Sequence, residues 1–220
     1  MTSPSRPYAG HFITFEGPEG AGKSTQLRLL APWLEQQGFE VVVTREPGGT
    51  AVGDRIRGVL FAPEDANILG LTEAFLMNAA RAQHVRELLQ PALQAGKVVL
   101  CDRYADATLA YQGYARGLDL AVLRQLIAIA TDGLAPNLTV YLDVPVEIGL
   151  ARKRRGHGDG EELNYLDRMS AQFHQRLAQG YKALIAEEPG RWQVVDATAS
   201  PDDVQQAIRR LVVEALPSPR

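Results

Sequence analysis

Residues 17 to 24 read Gly17-Pro18-Glu19-Gly20-Ala21-Gly22-Lys23-Ser24, which satisfies the phosphate-loop pattern G-x-x-x-x-G-K-[ST]. The loop follows an apolar run at 11–15 and precedes residues 25–30, which read as part of a helix. A strand, a glycine-rich turn and a helix N-terminus together surround an anion with backbone N–H groups and the positive end of a helix dipole. We therefore predict that residues 17–25 bind the phosphates of a nucleotide, with Lys23 on the outer phosphates and Ser24 on Mg²⁺.

Strand-like and helical patterns alternate along the rest of the chain. Apolar runs typical of strands occur at 11–15, 40–44, 97–102, 137–143 and 192–195. Helical patterns cover 24–37, 51–60, 72–94, 119–131, 145–153, 164–187 and 202–215. This alternation favours a parallel sheet covered by helices on both faces. We predict a three-layer α/β/α P-loop NTPase fold with a five-stranded parallel sheet.

Length and composition predict one domain and exclude several classes of partner. The chain has 220 residues, and we expect a disordered leader at 1–10, a single domain at 11–215 and a frayed tail at 216–220. The net charge of -3 gives no signal for nucleic-acid binding, and no apolar stretch approaches the roughly 20 residues that span a bilayer. The single cysteine, Cys101, ends an apolar run and is predicted to be a buried strand residue, which suits a reducing cytoplasm.

The segment 152–163 differs in composition from its surroundings. It reads Arg-Lys-Arg-Arg-Gly-His-Gly-Asp-Gly-Glu-Glu-Leu, four basic residues followed by a glycine-rich stretch. One interpretation is a solvated loop whose charges do nothing specific. The other is a short mobile lid, whose arginines stabilise a phosphoryl group during transfer. Beside a phosphate loop, we favour the lid.

Three further clusters of polar residues follow predicted strands or share a helix face, where open α/β sheets place ligand-binding groups. The first is Thr44-Arg45-Glu46-Pro47-Gly48-Gly49-Thr50, followed by Arg57. The second comprises Glu73, Met77 and Arg81, which are spaced by four on a predicted helix. The third is Asp102-Arg103-Tyr104, with Thr108, Tyr111 and Gln112 beyond it.

At these residues the chain resembles the thymidylate kinases, enzymes that transfer a phosphoryl group from ATP to dTMP. The resemblance runs from about residue 11 to 213. Besides the phosphate loop, it rests on the segments 45–50, 79–83, 102–104, 110–113, 141–145 and 194–197. It implies ATP and dTMP as substrates, Mg²⁺ as cofactor, and a homodimer packed through the long helices.

The resemblance also implies roles for individual side chains at the phosphates and the sugar. Arg57 and Arg103 match the arginines that hold the monophosphate, and Asp102 matches a partner of Mg²⁺ and of Arg103. Glu19, inside the phosphate loop, resembles the carboxylate near the sugar 3′-hydroxyl. Tyr111 matches an aromatic residue that lies against the deoxyribose and disfavours a 2′-hydroxyl.

At the base, Arg81 matches the residue that hydrogen-bonds thymine O4, while Thr108 and Gln112 face the N3–H edge. Glu46 also belongs to the implied acceptor site. Burying these groups against the wrong base would leave them unpaired, at about 1–3 kcal/mol each.

Two departures from the family pattern stand out. Four residues before the base-reading arginine, the family usually has a phenylalanine that stacks on thymine, whereas this chain has Met77, whose sulfur packs on a ring less rigidly. The phosphate loop also carries no arginine, as in the family branch whose catalytic arginines lie in the lid. We therefore expect Arg154 and Arg155 to reach the ATP phosphates, in preference to Arg152 near the helix end. With Lys23, Asp102 and Arg103, they form the predicted catalytic set.

Two other functions stay open. A kinase of another nucleoside monophosphate or of a deoxynucleoside is suggested only by Met77. A P-loop switch or partitioning ATPase would belong to a different class. The sequence contains no guanine-specifying N-K-x-D segment, and the basic lid fits phosphorylation of an acceptor better.

Overall fold

The computed structural model describes residues 8–61, 68–156 and 169–216. Its strands form a five-stranded, wholly parallel sheet in the order β2-β3-β1-β4-β5. The strands are β1 His11–Glu16, β2 Val41–Arg45, β3 Val98–Asp102, β4 Leu138–Asp143 and β5 Trp192–Asp196. The predicted fold class is confirmed, and each predicted strand lies within a residue or so of an observed one.

Helices connect the strands and cover both faces of the sheet. They are α1 Lys23–Gln36, α2 Ala51–Leu60, α3 Gly70–His84, α4 Gln90–Gln94, α5 Ala105–Thr108, α6 Leu120–Thr131, α7 Val146–Gly156, α8 Ala171–Glu187 and α9 Pro201–Ala215. Two π-helical stretches extend them: Val85–Leu89 joins α3 to α4, and Leu109–Ala115 continues α5. The first five residues of the helix predicted at 164–187 lie outside the described residues.

The helix at 105–115 was not predicted from the sequence. Residues 109–113 are all buried, so the segment has no polar face to reveal an amphipathic period. Its π-helical turns also depart from the 3.6-residue spacing on which the prediction depends. The correction matters because this segment carries Thr108, Tyr111 and Gln112 into the cleft described below.

The core lies on both faces of the central strands, whose side chains alternate between them. Ile13 and Phe15 of β1 pack with α1 and α9 on one face. Phe12 packs with α4 and Tyr104 on the other face, and Cys101 is fully buried there, as predicted. Strands that are buried on both faces read as nearly continuous apolar runs, which is why they were found from the sequence.

The carboxyl ends of β1, β2 and β3 meet at one edge of the sheet. The phosphate loop follows β1, the 46–50 segment follows β2, and Arg103 follows β3. This arrangement brings the phosphate loop together with the first and third predicted clusters, and the second cluster lies on α3. Within the described ranges, no helix is long and apolar enough to cross a membrane.

Candidate active site

A cleft of about 1000 Å³ opens at this edge of the sheet, and most of the predicted site residues line it. Those that do are Glu19, Gly20, Ala21, Gly22, Lys23, Ser24, Thr25, Glu46, Arg57, Met77, Arg81, Asp102, Arg103, Thr108, Tyr111 and Gln112. The phosphate loop forms one wall, and the residues predicted to hold an acceptor face it from α2, α3 and α5 with its π-helical continuation. The cleft therefore has two sides, and both carry cationic side chains.

The phosphate loop adopts the backbone that an anion site needs. Gly22 has a φ of 92° and is the N-cap of α1, so the first N–H groups of the helix point into the cleft. Lys23 is buried, and its Nζ donates to the carbonyls of Gly17 at 3.2 Å and Pro18 at 3.0 Å. Burial and the nearby Arg103 lower the pKa of Lys23. Gly17 and Pro18 thus support the lysine from behind the cleft.

Ser24 and Asp102 place two oxygen donors next to each other beside the loop. Ser24 Oγ donates to Asp102 Oδ2 at 2.8 Å. Hard oxygen donors beside phosphates suit Mg²⁺, which typically takes one or two protein groups and completes its shell with phosphate oxygens and water. In the described part of the chain, no three His, Cys, Asp or Glu side chains cluster as a metal site. The hydroxyl and the carboxylate nevertheless fit the ion that the sequence predicts.

Glu19, Arg103 and Tyr111 form one bonded group on the acceptor side of the loop. Arg103 donates to Glu19 Oε1 at 2.7 Å and to the carbonyl of Gly17 at 3.0 Å. Tyr111 Oη donates to the same Glu19 oxygen at 2.9 Å, and the guanidinium lies 4.8 Å above the tyrosine ring centroid. Burial alone would raise the pKa of Glu19, but Arg103, Lys23 and the Tyr111 hydrogen bond lower it to about 2. Glu19 is therefore an ionised anchor for Arg103.

Glu16 lies directly behind this group, and sequence reasoning missed it. Its carboxylate accepts hydrogen bonds from the Tyr104 N–H and from Tyr181 Oη, both at 2.8 Å. Burial and the charge of Asp106 raise the pKa of Glu16 to about 7, although Arg103 acts in the opposite direction. A signal was present in the sequence, since Glu16 is a carboxylate at the end of an otherwise apolar strand. The partner Tyr181 is distant in sequence and gave no such signal.

Arg81 is held rigidly against the cleft. Its Nε donates to Glu46 Oε2 at 2.8 Å, and its two terminal nitrogens donate to Asn78 Oδ1, Thr108 Oγ1 and the Tyr104 carbonyl at 3.0–3.1 Å. Four of its five N–H groups thus have partners among the described residues. Met77, one turn earlier on α3, also lines the cleft.

Gln112 is oriented by a buried carboxylate. Its Nε2 donates to Glu73 Oε1 at 2.7 Å, and the other oxygen of Glu73 lies 2.7 Å from Arg116. Because Glu73 accepts from the amide nitrogen, the amide oxygen of Gln112 is oriented to accept a hydrogen bond from a ligand. The sequence placed Glu73 on the same helix face as Met77 and Arg81, without assigning it this role.

Arg57 lies near the end of α2, opposite the phosphate loop. Its Nη1 donates to the Pro47 carbonyl at 3.0 Å, and its guanidinium stacks 4.8 Å from the centroid of the Phe61 ring. The hydrogen bond to Pro47 uses one of the five N–H groups of the guanidinium, and Arg57 lines the cleft.

The basic segment after β4 is described only as far as residue 156. Arg152 and Lys153 line the cleft, and Arg152 donates to the carbonyls of Ala197 at 2.6 Å and Thr198 at 3.2 Å. Arg154 and Arg155 are exposed on α7 and do not line the cleft. The rest of the predicted lid, 157–163, lies outside the described residues. A role for Arg154 or Arg155 at the phosphates stays a prediction, while Arg152 lies closer to the cleft than the sequence suggested.

The fold and the two-sided cleft together define a class of protein. A parallel sheet with a phosphate loop between β1 and α1 belongs to P-loop nucleotide-binding proteins, and an array of arginines opposite the loop is what a P-loop kinase needs for a phosphate-bearing acceptor.

Comparison with known proteins narrows this class to one family. The family model described as thymidylate kinase matches residues 15–208. The chain is 49% identical over 216 residues to the thymidylate kinase of Roseiflexus castenholzii, covering 94% of each chain. It is 51% identical over 205 residues to that of Thermomicrobium roseum, covering 93% of this chain and 95% of the relative. The crystal structure of thymidylate kinase from Ehrlichia chaffeensis matches with a TM-score of 0.76 at 30% identity, covering 92% of this chain and 98% of that one. The chain belongs to the thymidylate kinase family.

Proposed function

We propose that this protein transfers the γ-phosphoryl group of ATP to dTMP, giving dTDP and ADP for the synthesis of dTTP. An oxygen of the dTMP phosphate attacks the γ-phosphorus, and the bond from that phosphorus to the bridging oxygen of ADP breaks. The observation that carries the proposal is the cleft itself, in which a phosphate loop faces Arg57, Arg81 and Arg103. A site that only hydrolysed ATP would have no use for this second cationic wall.

On the donor side, the loop amides and Lys23 hold the ATP phosphates. The ammonium of Lys23 donates to two carbonyls of the loop itself. These contacts hold the ammonium next to the place where the outer phosphates would bind. Ser24 and Asp102 would hold Mg²⁺, which supplies neutralisation of the phosphate charge when it is bound. Arg154 and Arg155 stay our candidates for the lid arginines that close over the transferred group, with Arg152 already at the rim.

On the acceptor side, Arg57 and Arg103 hold the dTMP phosphate in line with the donor. The pKa of Arg103 is raised well above its ordinary value, because the neighbouring Tyr111, Glu19, Tyr181 and Glu16 outweigh the effect of burial. A permanently charged guanidinium that is fixed by Glu19 positions the attacking oxygen without a large loss of side-chain entropy. Tyr111, whose hydroxyl donates to Glu19, would lie against the deoxyribose and disfavour a 2′-hydroxyl.

The base is read by groups of matching polarity. The remaining N–H of Arg81 donates to thymine O4, and the amide oxygen of Gln112 accepts from N3–H, with Thr108 beside both. Cytosine presents a donor where thymine has O4 and an acceptor where thymine has N3–H. Binding CMP would therefore leave two buried groups of the protein unpaired.

A coupled assay of ADP release with dTMP, dUMP, CMP and thymidine as acceptors tests the proposal. We expect turnover with dTMP to exceed that with CMP by about 100-fold or more, and none with thymidine, because thymidine lacks the attacking phosphate. Lys23→Ala, which removes a donor-side contact, should abolish turnover with every acceptor. A preference for another monophosphate would favour the alternative function, a kinase of another nucleoside monophosphate, which only Met77 suggests. Slow turnover that no acceptor changes would contradict both kinase readings.

We also propose that the protein acts as a homodimer in the cytoplasm. Six apolar side chains are exposed on α2, α3 and α6, of which α3 packs against the other two: Val52, Val59, Leu71, Phe75, Val122 and Ile129. An exposed apolar patch shared by neighbouring helices is typical of a protein interface. The cytoplasmic location suits the single thiol of Cys101, whose pKa is raised by burial and which has no second cysteine to pair with.

A further inference from the structure

A buried chain of polar side chains runs behind the base-reading arginine. Thr44 Oγ1 lies 2.8 Å from His84 Nε2, and His84 Nδ1 lies 2.9 Å from Glu46 Oε1. The second oxygen of Glu46 accepts from Arg81 Nε at 2.8 Å. His84 is the last residue of α3, three residues after Arg81, and its side chain is fully buried. It does not line the cleft, so it can affect a ligand only through its neighbours.

The chemistry of the donors and acceptors sets the direction of each hydrogen bond in this row of buried side chains. A carboxylate that is paired with an arginine accepts hydrogen bonds, so Nδ1 of His84 must carry the proton that is shared with Glu46. In the neutral ring, Nε2 then accepts from the Thr44 hydroxyl. The tautomer is thus inferred from the bonded groups on each side of the ring. Each oxygen of the Glu46 carboxylate has its own donor, which fixes the plane of the carboxylate.

The backbone around the imidazole is built to keep it in place. Gly49 has a φ of 80°, a conformation that side chains rarely adopt. A Cβ at this position would lie 2.8 Å from His84 Nε2 and would collide with Thr44 Oγ1. Gly49 therefore packs directly against the Nε2 side of the imidazole.

We propose that His84 is a positioning residue, which sets the orientation of Arg81 through Glu46 and so tunes affinity for the acceptor base. The proposal rests on the function proposed above, in which Arg81 reads the base. Without a donor on Oε1, Glu46 would turn to take the arginine through both of its oxygens. The guanidinium would then rotate away from Asn78 and Thr108, and its remaining N–H would no longer face the base.

Two substitutions distinguish the hydrogen bond made by Nδ1 of His84 from the one made by Nε2. In His84→Asn the amide nitrogen takes the place of Nδ1 and keeps the hydrogen bond to Glu46. In His84→Gln the terminal amide reaches the place of Nε2, keeps the contact with Thr44 and loses Glu46. We expect His84→Gln to raise the KM for dTMP about tenfold and to leave the KM for ATP within about twofold. His84→Asn should keep the KM for dTMP within about threefold of the unaltered value.

The control is His11→Gln. This substitution alters a buried histidine at the start of β1, the end of the strand that lies away from the phosphate loop. It should change neither KM, although it lowers the melting temperature. Equal increases of the dTMP KM in the Asn and Gln variants, or equal increases of both KM values in His84→Gln, would show a merely structural role and overturn the proposal.

If His84→Gln does not fold, Thr44→Val tests the same row of hydrogen bonds from its other end, at Nε2 of His84. We expect a rise of about threefold in the KM for dTMP and no rise in that for ATP, and an unchanged KM for dTMP would overturn the proposal. Turnover of dTMP by the unaltered chain tests the proposed function separately. Failure there would leave no dTMP turnover at all, whereas failure of the positioning role would leave turnover intact and remove only the difference between the variants.

Discussion

Arg103 has a φ of 67°, in the left-handed region that residues other than glycine seldom occupy. Such a conformation costs about 1–2 kcal/mol and is retained where the surrounding contacts hold it. Here the turn directs the side chain to Glu19 and Tyr111, while the next N–H, that of Tyr104, reaches Glu16. The strain is thus linked to the residue that we assign to the acceptor phosphate.

Met77 occupies the position at which the sequence resemblance implies a phenylalanine that stacks on thymine. We predict that Met77→Phe preserves or improves affinity for dTMP, because an aromatic ring on thymine adds about 0.5–1.5 kcal/mol to packing alone. The volume of the side chain changes little, so the fold should tolerate the substitution. Isothermal titration calorimetry with dTMP measures the affinity. Met77→Ala is the control, because it removes the side-chain contact with the base and should weaken binding. A large loss of affinity in Met77→Phe would reject the assignment of this position to the base.

Glu16 makes a prediction about pH and stability. Its pKa is raised to about 7, so the folded state holds a proton between the ordinary pKa of 4.5 and 7 that the unfolded state releases. The stabilising contribution is fully present below pH 4.5 and is lost as the pH rises through 7. Glu16→Gln carries no such titration. We expect the stability of the unaltered chain relative to Glu16→Gln to fall by about 2 kcal/mol between pH 5 and pH 8.

Urea unfolding of both proteins at the two pH values measures this difference, and titrations common to both cancel. A relative stability that stayed constant or rose with pH would mean that Glu16 is ionised throughout. Asp106, Arg103, Tyr181 and the Tyr104 N–H face the carboxylate from the surrounding elements, so its pKa reports on the whole group behind the phosphate loop.

At the scale of elements, α7 is locked to the phosphate loop by two glycines. A side chain at Gly20 would collide with the carbonyl of Gly149, and one at Gly149 would collide with the carbonyl of Glu19. The two backbones therefore approach more closely than any other residue pair would allow. This contact sets where α7 presents Arg152 and Lys153 to the cleft.

We predict that Gly149→Ala lowers both stability and turnover. The methyl group would displace α7 from the loop, at a cost of about 1–3 kcal/mol. Gly58→Ala on α2 is the control, because a Cβ there meets nothing within 4 Å and alanine favours a helix interior. Thermal unfolding and kcat measure the two variants. If Gly149→Ala were as stable and as active as Gly58→Ala, the contact would have no positioning role.

The elements that could be predicted from the sequence are those whose signal is local. The spacing of its glycines and lysine identifies the phosphate loop, and their apolar composition identifies the buried strands. The helix at 105–115 could not be found in this way, because residues 109–113 are all buried and the segment is partly π-helical. Its three cleft residues were identified by family resemblance, which does not depend on helical period.

Long-range partnerships were beyond sequence reasoning for a different reason. Tyr181 meets Glu16 although 165 positions separate them, and Gln112 meets Glu73 across 39 positions. Nothing in either residue's neighbours indicates its partner, because the pairing arises only when helices pack on the sheet. The position of Arg152 against Ala197 and Thr198 likewise depends on how α7 packs beside the segment after β5.

At the scale of the whole molecule, the exposed apolar face of α2, α3 and α6 predicts a homodimer. Phe75 and Ile129 are 53% and 74% exposed on this face. We expect the unaltered chain to sediment as a dimer, and the double variant Phe75→Lys, Ile129→Lys to sediment as a monomer, because buried like charges oppose association. Val213→Lys is the control, on α9 at the other face of the sheet, and should leave the dimer intact. A monomeric unaltered chain, or a dimer that survives the double variant, would contradict the interface.

The central claim is that one cleft holds two substrates, with the phosphate loop serving ATP and the opposite wall serving dTMP. Electron density from crystals grown with dTMP tests this claim most directly. We predict density for the dTMP phosphate between Arg57 and Arg103, with the thymine edge within hydrogen-bond reach of Arg81 and Gln112. Density that placed the monophosphate inside the loop at 17–24, with the base away from Arg81, would contradict it.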